Sequence, residues 1–214
     1  MTCSIRQPGA SEPFALDTVT RAQVPVWYHV YCTKKYPTTQ PDTFSQGWGD
    51  TRFAPISTGT GSPVHTYYAA STPECAYMES VLHEIPLSPL GVFDVSELQY
   101  YHLVHIALPD PLTFVSFHTP YLPQLGLTRA ELIDSLPACY PETRPWAEQA
   151  YQQQPKAQAV GYGSRRDDAA RCLMLFGQRL PDPPISVLKT EPLAHAPRRE
   201  EVLVLVRRLK IHEI

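Results

Sequence analysis

The sequence predicts an α+β domain built on a mostly antiparallel sheet. Short runs rich in aromatic and β-branched residues alternate irregularly with well-capped helical stretches, without the regular strand-helix repeat of a doubly wound sheet. Proline supplies 23 of the 214 residues, spread along the whole chain, so elements are short and often interrupted.

Taken in order, residues 1–22 read as a loose N-terminal arm and 23–214 as a single domain. Val24 to Tyr31 (VPVWYHVY) and Val64 to Ala70 (VHTYYAA) are expected strands bounded by Gly, Pro and Ser. Thr72, Pro73 and Glu74 place a capping side chain, a first-turn proline and a first-turn acid at the start of a helix reaching about Glu84. Tyr101 to Leu108 (YHLVHIAL) reads as a strand. Thr128 with Glu131 forms a capping box, and Thr143 precedes a helical run from Arg144 to Gln153. Glu201 to Leu209 (EVLVLVRRL) is apolar on both faces for five residues, as a central strand is.

Composition narrows the function. With 43% hydrophobic and 18% charged residues and a net charge of −3, the chain has neither the basic excess of a nucleic-acid module nor the bias of a disordered one. No apolar stretch approaches the ~20 residues of a spanning helix, and no leader pattern opens the chain, so a cytoplasmic protein without membrane contact is expected. Five scattered cysteines without a Cys-x-x-Cys pair predict reduced thiols rather than a disulfide framework or a metal site.

Three features carry candidate chemistry. On the helix after Thr72, Cys75, Met78, Leu82 and Ile85 define an apolar sector with Glu79 at its edge. A shielded carboxylate needs a partner or a task, although the position also fits an ordinary boundary glutamate. Arg52 precedes a Gly, Ser, Thr and Pro loop (Ala54 to Pro63) that leads to Tyr67 and Tyr68. Its guanidinium fork suits a diphosphate, and pairing with Asp50 is the plainer alternative. Only one of the two tyrosines can face inward, to pack in the core or to stack on a flat ring. In Ala159 to Phe176, Gly161 and Gly163 flank Tyr162 before Ser164, Arg165 and Arg166, which suggests a tight turn presenting a hydroxyl and two guanidiniums. Neither phosphate-loop glycine motif nor the hydrolase elbow is present. His102 and His105 fall on opposite strand faces, and His83-Glu84 lacks the second histidine of a zinc protease.

In their order, Arg-Phe-x-Pro (Arg52 to Pro55), Tyr68, Glu79 eleven residues later, and Tyr-x-Ser-x-Arg (Tyr162 to Arg166) resemble the RES domain, from about Trp27 to the C-terminus. The resemblance implies an ADP-ribosyltransferase-like fold with two crossed, mostly antiparallel sheets flanked by short helices around an NAD-binding cleft. It implies a bacterial toxin, paired with an Xre-type protein antitoxin, that breaks down NAD+ as substrate by phosphorolysis or hydrolysis. ADP-ribosylation of a target is the alternative, and a non-catalytic module that keeps the cleft is a third reading. Inorganic phosphate then becomes a candidate co-substrate, with no metal and no resident cofactor. The implied catalytic set is Arg52 on the phosphates or ribose, Tyr68 on the nicotinamide side, Glu79 on the ribose and Ser164 orienting it, with Arg166 and His29 at the substrate. His29 stands where the family often has a strand arginine, and the loop after Arg52 is longer than the family pattern.

Overall fold

A computed structural model describes residues 3–214. Its elements are β1 (Leu16–Val19), β2 (Trp27–Cys32), β3 (Thr66–Ala70), α1 (Pro73–Met78), β4 (Val92–Phe93), β5 (Tyr101–Ala107), β6 (Leu112–Ser116), α2 (Arg129–Leu132), α3 (Tyr140–Gln153), β7 (Ala159–Gly163), β8 (Arg171–Phe176), β9 (Ser186–Pro192), α4 (Arg198–Arg208) and β10 (His212–Glu213), joined by short 3-10 turns. Eight strands form one sheet in the order β1-β6-β7-β8-β3-β2-β5-β9, while β4 and β10 form a small parallel pair. Within the large sheet only β6 and β7 run parallel.

The connection from β5 to β6 forces this sheet to curl. Four strands lie between them in the sheet order, a lateral distance of ~24 Å if the sheet were flat. The four-residue link from Leu108 to Pro111 reaches at most ~18 Å. The sheet therefore closes towards itself, and its two faces bury different side chains. Trp27, Tyr67, Ala69, Ile106, Phe114 and Leu173 fill the inner face. Val30, Ala70, Val160, Cys172 and Met174 alternate with them and pack outward against α1, α3 and α4. The alternation along β2, β3 and β8 follows from the period of two of an extended chain.

Several expectations are corrected. Residues 201–209 are helical, not extended. Glu200 and Glu201 lie in the first turn of α4, after Arg198 and Arg199, and Arg207 and Arg208 end it, where cations suit the helix dipole, while Val204 is exposed and Val202, Leu203, Leu205 and Val206 are buried. A continuous β-branched run does not by itself distinguish a helix from a strand. α3 begins at Tyr140, so Thr143 lies inside it, fully buried, rather than capping it. Gly161 and Gly163 lie within β7 and not in a turn. Their role is close approach, since a Cβ on Gly161 would fall 2.4 Å from the Phe114 ring and one on Gly163 2.9 Å from Arg129 Nη1.

The N-terminal segment is not loose where it is described. Ile5 and Phe14 are buried, Trp146 Nε1 donates to the Arg6 carbonyl at 2.8 Å, and β1 pairs with β6. Apolar anchors spaced along the segment hold it to the body, and residues 1 and 2 lie outside the described residues. Cys3 is bonded to Cys139 in a disulfide, whereas Cys32, Cys75 and Cys172 are free. A pair 136 residues apart leaves no spacing signal, which is why reduced thiols were the expectation. Among the described residues, no helix is long and apolar enough to cross a membrane.

α4 is tied to the sheet by an ionic network. Glu191 on β9 bonds His105 at 2.7 Å, Lys189 at 2.7 Å and Arg198 at 3.0 Å, and Arg198 continues to Glu201, which accepts from the Tyr77 hydroxyl. Desolvation alone would raise the Glu191 carboxyl, but hydrogen bonds from Lys189, Arg198 and His105 overcome it and hold the pKa at about 2. A depressed acid stabilises the folded state above its unfolded pKa and ceases to do so as pH falls through the folded one. The melting temperature should accordingly fall as pH is lowered from about 4.5 towards 2. Glu191→Gln, which has no proton to gain, should show a shallower fall in a thermal melt series over the same range; parallel curves would contradict this.

Candidate functional site

The outward face of the sheet opens into a cleft of about 260 Å³ where β2 and β3 meet α1 and α3. Arg52, Tyr68, Glu79, His83, Tyr140 and Tyr162 contribute to its walls. Thr72 starts the helix that delivers Glu79: its Oγ1 accepts from the Cys75 N–H at 3.1 Å, with Pro73 in the first turn. α1 ends at Met78, earlier than the sequence suggested. The Ser80 hydroxyl bonds back to the Ala76 carbonyl at 2.5 Å, and Leu82 N–H reaches the Tyr77 carbonyl five residues back, so the chain widens into turns. Glu79 is the C-terminal cap of α1, at the point where the backbone leaves the helix beside the cleft.

Ser164 fixes the carboxylate from behind. It follows β7, is fully buried, and its Oγ accepts the N–H groups of Arg166 at 2.9 Å and Asp167 at 3.0 Å. Two donors occupy the oxygen, so its single hydrogen is left for Glu79 Oε1, 2.5 Å away. The turn after β7 thus dictates the orientation of a carboxylate 85 residues earlier.

Arg52 also lines the cleft. It is 8% exposed, its Nη1 donates to Ser135 Oγ at 2.6 Å and to the Leu132 carbonyl at 3.3 Å, and its guanidinium lies 5.2 Å over the Tyr140 ring. Burial lowers its pKa, opposed chiefly by Tyr140, Tyr162 and Glu79. Nε and Nη2 make no hydrogen bond among the described residues, so two donors remain for a ligand. The Thr143 hydroxyl donates to the Arg52 carbonyl at 2.5 Å and locks this backbone to α3. Arg144 pairs with Asp50 and donates to the Thr51 carbonyl. Asp50 is therefore the partner of Arg144, not of Arg52.

Tyr68, the tyrosine that faces the cleft, is hydrogen-bonded through its hydroxyl to Thr51 Oγ1 at 2.7 Å, and burial holds the phenol neutral. Tyr67 points to the inner core against Phe44. His29 is among the residues lining the cleft, but its ring lies on the inner side against Tyr67, 4.2 Å between centroids, and its Nδ1 donates to the Tyr68 carbonyl at 2.8 Å. Burial pulls its pKa down to about 4, so the ring is neutral, unlike the cation of a strand arginine.

The structure does not bring Arg166 to the cleft wall. Its Nη2 clamps the carbonyls of His83 and Ile85 at 2.6 and 2.9 Å, and its Nε and Nη1 are buried without partners. Through Nη2 it holds the turns after α1. The wall includes two residues that the sequence did not single out for it, His83 and Tyr140, whose Nε2 and hydroxyl lie 3.4 Å apart. His83 follows Glu79 by four residues, a spacing visible in the sequence that only the turn after α1 converts into a shared wall.

The family model described as the RES domain matches residues 26–195, most of the chain. No curated protein matches in sequence. Among solved structures, a chain in the crystal structure of the M. tuberculosis MbcT-MbcA toxin-antitoxin complex is similar at 14% identity and a TM-score of 0.58, covering 82% of this chain and 87% of that one. At that identity the likeness concerns the fold.

Proposed function

Because the chain belongs to the RES domain family, we propose that it is the toxin of a bacterial toxin-antitoxin pair and cleaves the N-glycosidic bond of NAD+. Release of nicotinamide, by phosphorolysis or hydrolysis, would deplete NAD+ in the cytoplasm and arrest growth until an Xre-type antitoxin covers the cleft. The carrying observation is Glu79, a carboxylate that Ser164 can only donate to, lining the same aromatic-walled cleft as an arginine with two uncommitted donors. The fold shared with a chain of a toxin-antitoxin complex supports the biological role.

The chemistry suits these groups. Nicotinamide leaves NAD+ as a neutral ring, so no acid need protonate it; the demand is for stabilisation of a ribose that gains oxocarbenium character. Glu79 Oε2, free of the Ser164 bond, accepts the ribose 2'-hydroxyl and offsets the developing charge. Arg52 holds the diphosphate through Nε and Nη2, and Tyr68 and Tyr162 supply flat walls that exclude water from the pyridinium.

The test is incubation of the purified protein with NAD+, with and without phosphate, followed by identification of the products. Free ADP-ribose marks hydrolysis, a phosphorylated ADP-ribose marks phosphorolysis, and label transferred from NAD+ to a macromolecule marks the alternative transferase. Intact NAD+ in every arm overturns the reading. Growth arrest on expression that Glu79→Ala relieves would set aside a non-catalytic module.

A further inference from the structure

Resting on the NAD+-cleaving reading, we infer that His83 is the base that takes the proton from the acceptor, and that the acceptor is a neutral O–H group, water. The mechanism above leaves this proton without a destination. Glu79 has one oxygen bonded to Ser164 and the other directed to the ribose, whereas His83 stands on the same wall with an open nitrogen.

Its geometry is that of an oriented imidazole. Glu84 Oε1 lies 2.6 Å from His83 Nδ1, and a carboxylate there accepts, so the ring proton resides on Nδ1 and Nε2 carries the lone pair, on a residue that lines the cleft. The neighbour of Nε2, the Tyr140 hydroxyl, is 3.4 Å away, too far to hold the lone pair firmly. The backbone of His83 is fixed in turn by Arg166 Nη2 on its carbonyl. The charged and titratable groups around the ring are Glu84 beside it, Glu79 one turn earlier, Tyr140 from α3, and Arg166 with its neighbour Arg165 from the turn after β7.

In the step, an O–H proton of water passes to Nε2 as the oxygen bonds to the anomeric carbon. The bond from that carbon to the pyridinium nitrogen breaks with its electron pair left on nitrogen, so nicotinamide departs neutral. The imidazolium then returns its proton to solvent. Phosphate at neutral pH is already anionic and would not call for such a base.

The experiment uses the full-length protein and NAD+ in phosphate-free buffer. Wild type should release ADP-ribose, and His83→Gln should lower kcat by about 10²-fold with KM little changed. Imidazole added to His83→Ala should restore turnover, which separates lost chemistry from lost folding. Unchanged kcat in His83→Gln, a defect confined to KM, or wild-type turnover only when phosphate is supplied would overturn the assignment of His83 while leaving the proposed function standing. A wild type that consumes no NAD+ with or without phosphate overturns the proposed function itself, and this inference with it.

Discussion

Replacement of Glu79 by glutamine is expected to lower NAD+ turnover by about 10³-fold, the scale of removing one preorganised electrostatic contact at a transition state. The substitution keeps the length of the side chain and its capacity to accept the Ser164 proton, so the geometry of the turn should persist. What it removes is negative charge beside the ribose as the pyridinium leaves. Glu79 is half-buried at a helix end rather than packed in the core, so the melting temperature should change little. The two measurements together decide the matter: steady-state NAD+ consumption and thermal unfolding of the same preparation. Turnover retained within a few-fold would show that the carboxylate is not the stabilising group.

Ser164→Ala should affect both stability and activity. The hydroxyl joins three partners at once, two backbone N–H groups and Glu79. Its loss leaves those donors to find water at a fully buried position and should destabilise the fold by about 2–3 kcal/mol, measured by chemical denaturation. Freed of its partner, the Glu79 carboxylate should sample other rotamers, and turnover should fall by about 10²-fold, less than for Glu79→Gln because the charge is still present. A variant that loses stability but keeps full turnover would show that Ser164 only holds the turn after β7.

How far the site is legible in the sequence depends on which interactions create it. Arg52, Tyr68, Glu79 and Ser164 are recognisable together only through the order of short motifs, since each alone also fits a surface or core residue. The structure gathers Arg52, Tyr68 and Glu79 round one cleft and sets Ser164 behind the carboxylate. Arg166 was grouped with the substrate because it adjoins Ser164, yet its guanidinium turns to the carbonyls of His83 and Ile85. His83 was passed over as an incomplete metal motif, because its role depends on the turn after Met78 and on Tyr140 from a helix far along the chain.

Local chemistry alone determined the start of α1 at Thr72, the capping box at Thr128 and the strand character of residues within β2, β3 and β5, because caps and alternation act over one to four residues. Tertiary contact decided the rest. α4 is a helix because its apolar stripe packs on α1; the N-terminal segment is held by Phe14, Arg6 and the Cys3–Cys139 bond; and the sheet curls because a short link joins strands that pairing sets far apart. Those outcomes depend on side chains tens of residues distant in sequence, whose approach no local pattern encodes.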